Sequence, residues 1–282
     1  MPKRPAMAGV ALLVFAAMAV FAVGCSSRQE FSRGSTSTSQ ASASAGHETS
    51  PTVAAPSPSP TIAGQPATTD EQLADALEAA AAALPGDLVH GNKLGSDDAP
   101  LKMLTFVDFQ CPYCLKFAAT QEPTLIEEYV KSGKLQIIAQ MYPILGPESV
   151  LAAVGGECAA AQDKFWDYYD RLYLVQAQAG QVSNERQNVG RFSRENLVGY
   201  ATDLGMDGTA FNSCIADPAT VAAVQTSVNA ARDFGITGTP GFVINGVSHG
   251  SGAPSSLDAW RNILETALTQ TPVASPAAGG SV

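Results

Sequence analysis

Leu104-Thr105-Phe106-Val107-Asp108-Phe109-Gln110-Cys111-Pro112-Tyr113-Cys114 joins an apolar run to two cysteines separated by two residues. The run from Leu104 to Phe109 predicts a buried strand, and the pattern after Cys114 predicts a helix. Cys111 therefore falls at a helix N-terminus, where unpaired backbone N–H groups and the positive end of the helix dipole stabilise a thiolate. Pro112 suits the first helical turn. A thiolate attacks disulfides, and two thiols at this spacing can close and reopen, so the stretch points to redox chemistry.

A C-x-x-C pair alone is equally consistent with half a zinc site or a structural pair, and its context separates these readings. Far downstream, Gly238-Thr239-Pro240-Gly241-Phe242-Val243-Ile244-Asn245-Gly246 gives a turn, a proline entering a strand and an Asn-Gly hairpin signal. With the strand, cysteine turn and helix upstream, the chain resembles the thioredoxin superfamily and, within it, the DsbA-like thiol-disulfide oxidoreductases. The resemblance covers roughly residues 88–268. It implies an α/β chain with a thioredoxin fold carrying a helical insertion, here about residues 144–234. It also implies that Pro240, preceded by Thr239, is cis and lies beside the redox pair.

Among 282 residues the apolar content of 45% suffices for a core, although much of it lies in the N-terminal run and in Ala-rich stretches. The net charge of −10 argues against nucleic acid and against charge-driven binding to an anionic membrane. Lys3 and Arg4 precede an uninterrupted apolar run from Ala6 to Val23, which reads as an export signal or an uncleaved membrane anchor. Ala22-Val23-Gly24-Cys25 resembles a bacterial lipobox, with Ala22 where Leu is usual. On that resemblance residues 1–24 are a lipoprotein-type signal peptide and Cys25 takes the lipid. Either way the domain is extracytoplasmic and anchored to the bacterial cell membrane.

Residues 25–68 are rich in Ser, Thr, Ala, Pro and Gly and read as a disordered linker. Its roughly 40 residues give an r.m.s. reach on the order of 35 Å. Residues 69–270 form the expected folded domain, and residues 271–282 resemble the linker. Thr69-Asp70-Glu71-Gln72 fits a capping box opening a helix that Pro85-Gly86 ends. The redox helix is expected to break near Pro123 and resume to Gly133, and Leu135 to Tyr142 reads as a strand. Helical signals fill Pro147 to Phe234, with Ser193 and Asp217 as caps. A hairpin of Phe242–Ile244 and Val247–His249 precedes a last helix, Ser256 to Leu268.

The chain has five cysteines. With Cys25 lipidated, Cys111 and Cys114 pair by spacing, leaving Cys158 and Cys214 as a structural disulfide or as two buried thiols. Similar chains in the DsbA-like family carry such a bridge. A four-Cys zinc site needs two close pairs, and Cys158 and Cys214 lie far apart. His47, His90 and His249 do not complete one, so no metal and no cofactor beyond the Cys111/Cys114 disulfide is expected.

By resemblance Cys111 is the exchanging sulfur, more exposed and more acidic, and Cys114 the buried resolving one, with Thr239 and Pro240 shaping a substrate groove. Tyr113 stands where a strongly oxidising member has His, and Thr105 where related folds hold a buried acid. Asp108, on the opposite face from Thr105, reads as a strand-end polar residue, with a catalytic role as the alternative. The favoured expectation is a monomeric oxidase of exported polypeptides with free cysteines, reset by a membrane redox partner. A reductase or isomerase on the same fold, and a non-catalytic metal-binding or structural lipoprotein, are the alternatives.

Overall fold

In the computed structural model, which describes residues 69–270, the expected capping box opens helix α1 (Asp70–Ala83). The Thr69 hydroxyl accepts from the Gln72 N–H, and the Gln72 side chain accepts from the Thr69 N–H, both at 3.2 Å. The expected signal peptide, Cys25, the linker and the tail lie outside the described residues.

Strands β1 (Val89–His90), β2 (Lys93–Leu94), β3 (Leu101–Val107), β4 (Leu135–Met141), β5 (Gly241–Ile244) and β6 (Val247–Ser251) form one mixed sheet. Their order is β1-β2-β4-β3-β5-β6. The two-residue strands β1 and β2 were absent from the sequence expectation, because so short a run carries no periodicity. They exist through pairing, with Lys93 opposite Ile138 and Leu94 opposite Ile137 on β4. Strand β3 is central, parallel to β4 and antiparallel to β5. Covered on both faces, it reads as a nearly continuous apolar run rather than an alternating one.

The redox helix is α2 (Pro112–Thr120), followed by a short α3 (Glu122–Leu125) and a π turn over Ile126–Val130. The break falls where Pro123 has no N–H to continue the α2 ladder. The insertion holds α4 (Pro147–Ala160), α5 (Phe165–Gln178), α6 (Arg194–Asp203), α7 (Gly208–Ile215) and α8 (Pro218–Asp233). Ser193, Asp207 and Asp217 cap α6, α7 and α8 through their side chains. Helix α9 (Leu257–Thr269), capped by Ser256, closes the fold.

Two aromatic clusters fill the core. Phe117 of α2, Phe242 of β5 and Trp260 of α9 meet with ring centroids 4.8–6.0 Å apart. On α5, Phe165, Trp166, Tyr168, Tyr169 and Tyr173 are all buried, and Phe109 packs against Tyr168, Tyr169 and Tyr173. Helix α4 approaches this cluster through Gly155, where a Cβ would stand 2.2 Å from the Tyr168 hydroxyl. Cys158 of α4 and Cys214 of α7, 56 positions apart in sequence, form a disulfide with Cα atoms 5.8 Å apart. In the chain-entropy description, closing a loop of that length stabilises the fold by about 4 kcal/mol.

Candidate active site

Strand β3 ends at Val107, and a tight turn of Asp108, Phe109 and Gln110 delivers Cys111 to the N-cap of α2. Pro112 follows at the first helical position, and Cys114 lies one turn inside. The β3–β5 register sets Phe106 opposite Gly241, which brings Pro240 to the same end of the sheet as the cysteines. The Thr239–Pro240 peptide is cis, and the Cys111 thiol donates to the Thr239 carbonyl at 3.3 Å. Thus residues 128 positions apart meet at one sulfur.

Both cysteines are free thiols. Cys111 exposes 5% of its surface and Cys114 none, so the expected contrast in access exists but is small. The contrast in acidity is large. Cys111 is lowered from 9.0 to about 7, chiefly by the hydrogen bond from Cys114. Burial opposes that effect, while the Thr239 side chain and the N–H groups of Cys114 and Tyr113 reinforce it. Cys114 is pushed well above the ordinary thiol value, first by burial and then by Cys111. The negative charge of the pair therefore collects on Cys111.

The insertion holds the turn that carries these thiols. Three successive turn carbonyls accept from three of its side chains: Asp108 from the Tyr173 hydroxyl at 3.3 Å, and Phe109 and Gln110 from the amides of Gln176 and Gln181, both at 2.9 Å. Arg191 donates to the side-chain oxygens of both glutamines. The Gln110 side chain in turn donates to Ser149 at 2.8 Å and accepts from the Asn188 N–H at 2.7 Å.

Asp108 ties the same turn to the start of the insertion. Its carboxylate accepts from the N–H groups of Gln110, Ile144 and Leu145 at 2.8–2.9 Å and from the Ser149 hydroxyl at 2.7 Å. Burial raises its pKa, and these hydrogen bonds oppose the rise. Asp108 is thus a strand-end anchor whose carboxylate bonds are all directed to the scaffold, while its carbonyl accepts from the Cys111 N–H at 3.0 Å. Thr105 is fully buried, with no hydrogen-bond partner for its hydroxyl.

The sequence reading missed Gln110, Gln176 and Gln181 as site-supporting residues. Tyr169, Tyr173 and Gln176 recur at i, i+4 and i+7 on α5, so the helical stripe could have marked Gln176 as inward-facing. Nothing comparable marks Gln181, which lies in the loop after α5.

A cleft of about 410 Å³ adjoins the redox pair, bounded by Tyr113, Lys116 and Phe117 of the redox helix, Thr239, and Ala253 and Pro254 after β6. Tyr113 is 66% exposed at its mouth, and Lys116 lies 5.9 Å from the centre of that ring. Among the described residues no cluster of His, Cys, Asp and Glu could hold a metal ion.

Residues 88–266 match a family model described as thioredoxin. The chain belongs to the thioredoxin family. A curated relative, the probable disulfide bond formation protein D of Bacillus cereus, is 45% identical over 85 residues, which span 29% of this chain and 39% of that one. The oxidised crystal structure of BdbD from Bacillus subtilis superposes with a TM-score of 0.54 at 20% identity, covering 64% of this chain and 94% of that one. Wolbachia pipientis alpha-DsbA1 gives 0.52 at 22% identity, covering 62% and 89%. At these identities the structural likeness of this thioredoxin-family chain to both is one of fold.

Proposed function

We propose that this chain is an extracytoplasmic thiol-disulfide oxidoreductase that introduces disulfides into exported polypeptides through Cys111 and Cys114. The acidic, helix-capping Cys111 against a buried, non-acidic Cys114 supports the exchange chemistry in either direction. In the oxidised enzyme a substrate thiolate attacks Cys111, forming a mixed disulfide and releasing Cys114. A second substrate thiolate then attacks the substrate sulfur of that bond, which closes the substrate disulfide and releases Cys111 as the better leaving group. The cleft bounded by Tyr113 and Thr239, which flank Cys111 in sequence and by hydrogen bond, offers the substrate an apolar surface. A membrane redox partner resets the pair, and lipid on Cys25 with the linker holds the domain near that partner.

A reductase or isomerase is the second reading, and one observation favours it. A Cys111 pKa of about 7 equals the value typical of thioredoxin rather than the roughly 3.5 of the strongest oxidant of this fold. Equilibration with defined glutathione ratios separates the two. A potential of about −120 to −180 mV supports the oxidase, and one near about −270 mV the reductase. Cys114→Ser is expected to trap exported polypeptides as mixed disulfides on Cys111. Absence of any trapped species, together with a Cys111 pKa near about 8.5, would leave a non-catalytic pair.

A further inference from the structure

Arg191 lies in the loop between α5 and α6 and directs its guanidinium at two neutral, buried amides. Its Nη1 donates to the Oε1 of Gln176 and, at 3.0 Å, to the Oε1 of Gln181. The acid that acts on it, Glu148 of α4, makes no direct hydrogen bond to the guanidinium. The Glu148 carboxylate accepts instead from the N–H groups of Gly190 and Phe192, on either side of Arg191, at 2.5 and 2.7 Å. The Tyr200 hydroxyl of α6 donates to the Arg191 carbonyl at 3.3 Å. The loop therefore presents the guanidinium from a fixed base.

A guanidinium carries donors only, so each amide turns its oxygen to Arg191 and its NH2 the other way. Those NH2 groups meet the carbonyls of Phe109 and Gln110, both at 2.9 Å. In a trans peptide the C=O and the next N–H point in opposite directions, so a plane bonded at both ends cannot rotate freely. The plane between Phe109 and Gln110 is held by Gln176 at its oxygen and by the Asp108 carboxylate at its N–H. The plane between Gln110 and Cys111 is held by Gln181 at its oxygen and by the Asp108 carbonyl at its N–H. These two planes carry the chain into Cys111, and Arg191 is the group that both amides share.

We propose that Arg191 is a positioning residue for the exchanging thiol: by orienting Gln176 and Gln181 it locks both peptide planes before Cys111, and so keeps that residue at the N-cap of α2 with its sulfur against the Thr239 carbonyl. With the lock released, the planes rotate, the cap frays and the sulfur loses the groups that favour its thiolate. Those groups are the Cys114 side chain, the Thr239 side chain and the N–H groups of Cys114 and Tyr113. The charged and titratable groups acting on Arg191 are Glu148, Arg186 of the same loop and Tyr200. Cys114 acts on Cys111, and Tyr173 of α5 senses both thiols.

This role rests on the exchange reading, and alkylation of Cys111 by iodoacetamide in the reduced full-length chain, followed across pH by peptide mass spectrometry, tests it separately. Arg191→Met keeps a long side chain and removes every donor. In that variant the Cys111 pKa is expected to rise by about one unit from about 7. Alkylation at pH 7 then slows roughly fivefold, because the thiolate fraction falls from about a half to about a tenth. Above about pH 9.5 the two rates agree within about twofold, whereas a merely structural loss slows both limbs alike. Gln181→Met is expected to shift the profile in the same direction. Arg191→Lys is expected to restore it, since both contacts come from one nitrogen and an ammonium carries three donors.

An Arg191→Met profile that overlays the parent's overturns the proposal, as does one slowed equally at every pH or one that lysine does not restore. A parent chain that fails to exchange with glutathione disulfide overturns the exchange reading instead. Hydrogen exchange followed by NMR in the parent chain checks the lock without a variant. The NH2 groups of Gln176 and Gln181 and the N–H groups of Gln110 and Cys111 are expected to exchange slowly, and fast exchange at the two amides overturns the proposal.

Discussion

The molecule carries two cysteine pairs, and its surroundings treat them in opposite ways. Cys158 and Cys214 join α4 to α7 across 56 positions, so their bond removes much of the chain entropy of the unfolded state. Cys111 and Cys114 sit three positions apart on one helical turn, where a bond restrains little of the unfolded chain. What distinguishes the close pair is chemical. One sulfur caps a helix and receives hydrogen bonds that favour its thiolate, while the other is buried and loses acidity. A pair far apart in sequence serves to hold the fold together. A pair close in sequence, set at a helix start, opens and closes at little cost to the fold.

The sharpest way to break this comparison is to remove each pair in turn. Cys111→Ala is expected to abolish exchange with glutathione disulfide while leaving the fold intact. Replacing Cys158 and Cys214 together with Ala is expected to keep exchange at Cys111 within about twofold, and to lower stability by about 4 kcal/mol in denaturant titration. A large loss of exchange in that double variant, with the fold retained, would show that the insertion disulfide tunes the site.

Asp108 couples the two regions, and Asp108→Asn tests the coupling. An amide cannot accept all four hydrogen bonds and turns an NH2 toward backbone donors. A loss of roughly 3 kcal/mol is expected in denaturant titration. The loop at Ile144 and Leu145 should also exchange its amide hydrogens faster.

Glu122, buried at the start of α3, should make the stability of the fold pH-sensitive. Its pKa is raised in the fold from 4.5 to about 8, so the folded chain binds a proton that the unfolded chain has released. Stability is therefore highest below about pH 4.5, as far as this group is concerned, and declines as pH rises to about 8. Glu122→Gln is expected to remove that decline, a gain on the order of 2–4 kcal/mol at pH 8 over pH 5 relative to the parent chain. Unfolding midpoints at the two pH values check it.

The smallest expected effect lies within the close pair. Cys114→Ala deletes the hydrogen bond that contributes most to the low Cys111 pKa, so that pKa should climb from about 7 toward 9.0. A rise of one unit slows alkylation by iodoacetamide at pH 7 by roughly fivefold, because the thiolate fraction falls from about a half to about a tenth. A pKa that stays near 7 would assign the acidity to the helix N-terminus and Thr239 instead.

Much of the scaffold was legible because its signals are local. The Thr69 capping box, the caps Ser193 and Asp217, the break at Pro123 and the Asn245-Gly246 hairpin each depend on a few consecutive residues, and each occurs in the structure where those residues stand. Strands β1 and β2 were not legible, since two residues carry no pattern and the partner of β2 on β4 lies more than forty positions away. The support of the redox turn was hidden for the same reason. Tyr173, Gln176 and Gln181 reach carbonyls more than sixty positions earlier in the chain. The acidic group of the redox region illustrates it best. Thr105 stands at the place where an acid was looked for, and the buried acids are instead Asp108 in the redox turn and Glu122 at the start of α3.

The sequence by itself determined the cysteine spacing, the helix that Pro112 opens at Cys111, and the proline at the entry to β5, because these depend on short-range backbone geometry and residue type. The tertiary structure decided which sulfur holds the charge, what secures the turn beneath it, and that Glu122 is buried. Acidity, burial and hydrogen-bond satisfaction are properties of the space around a group, and that space is filled by residues the chain delivers from far away.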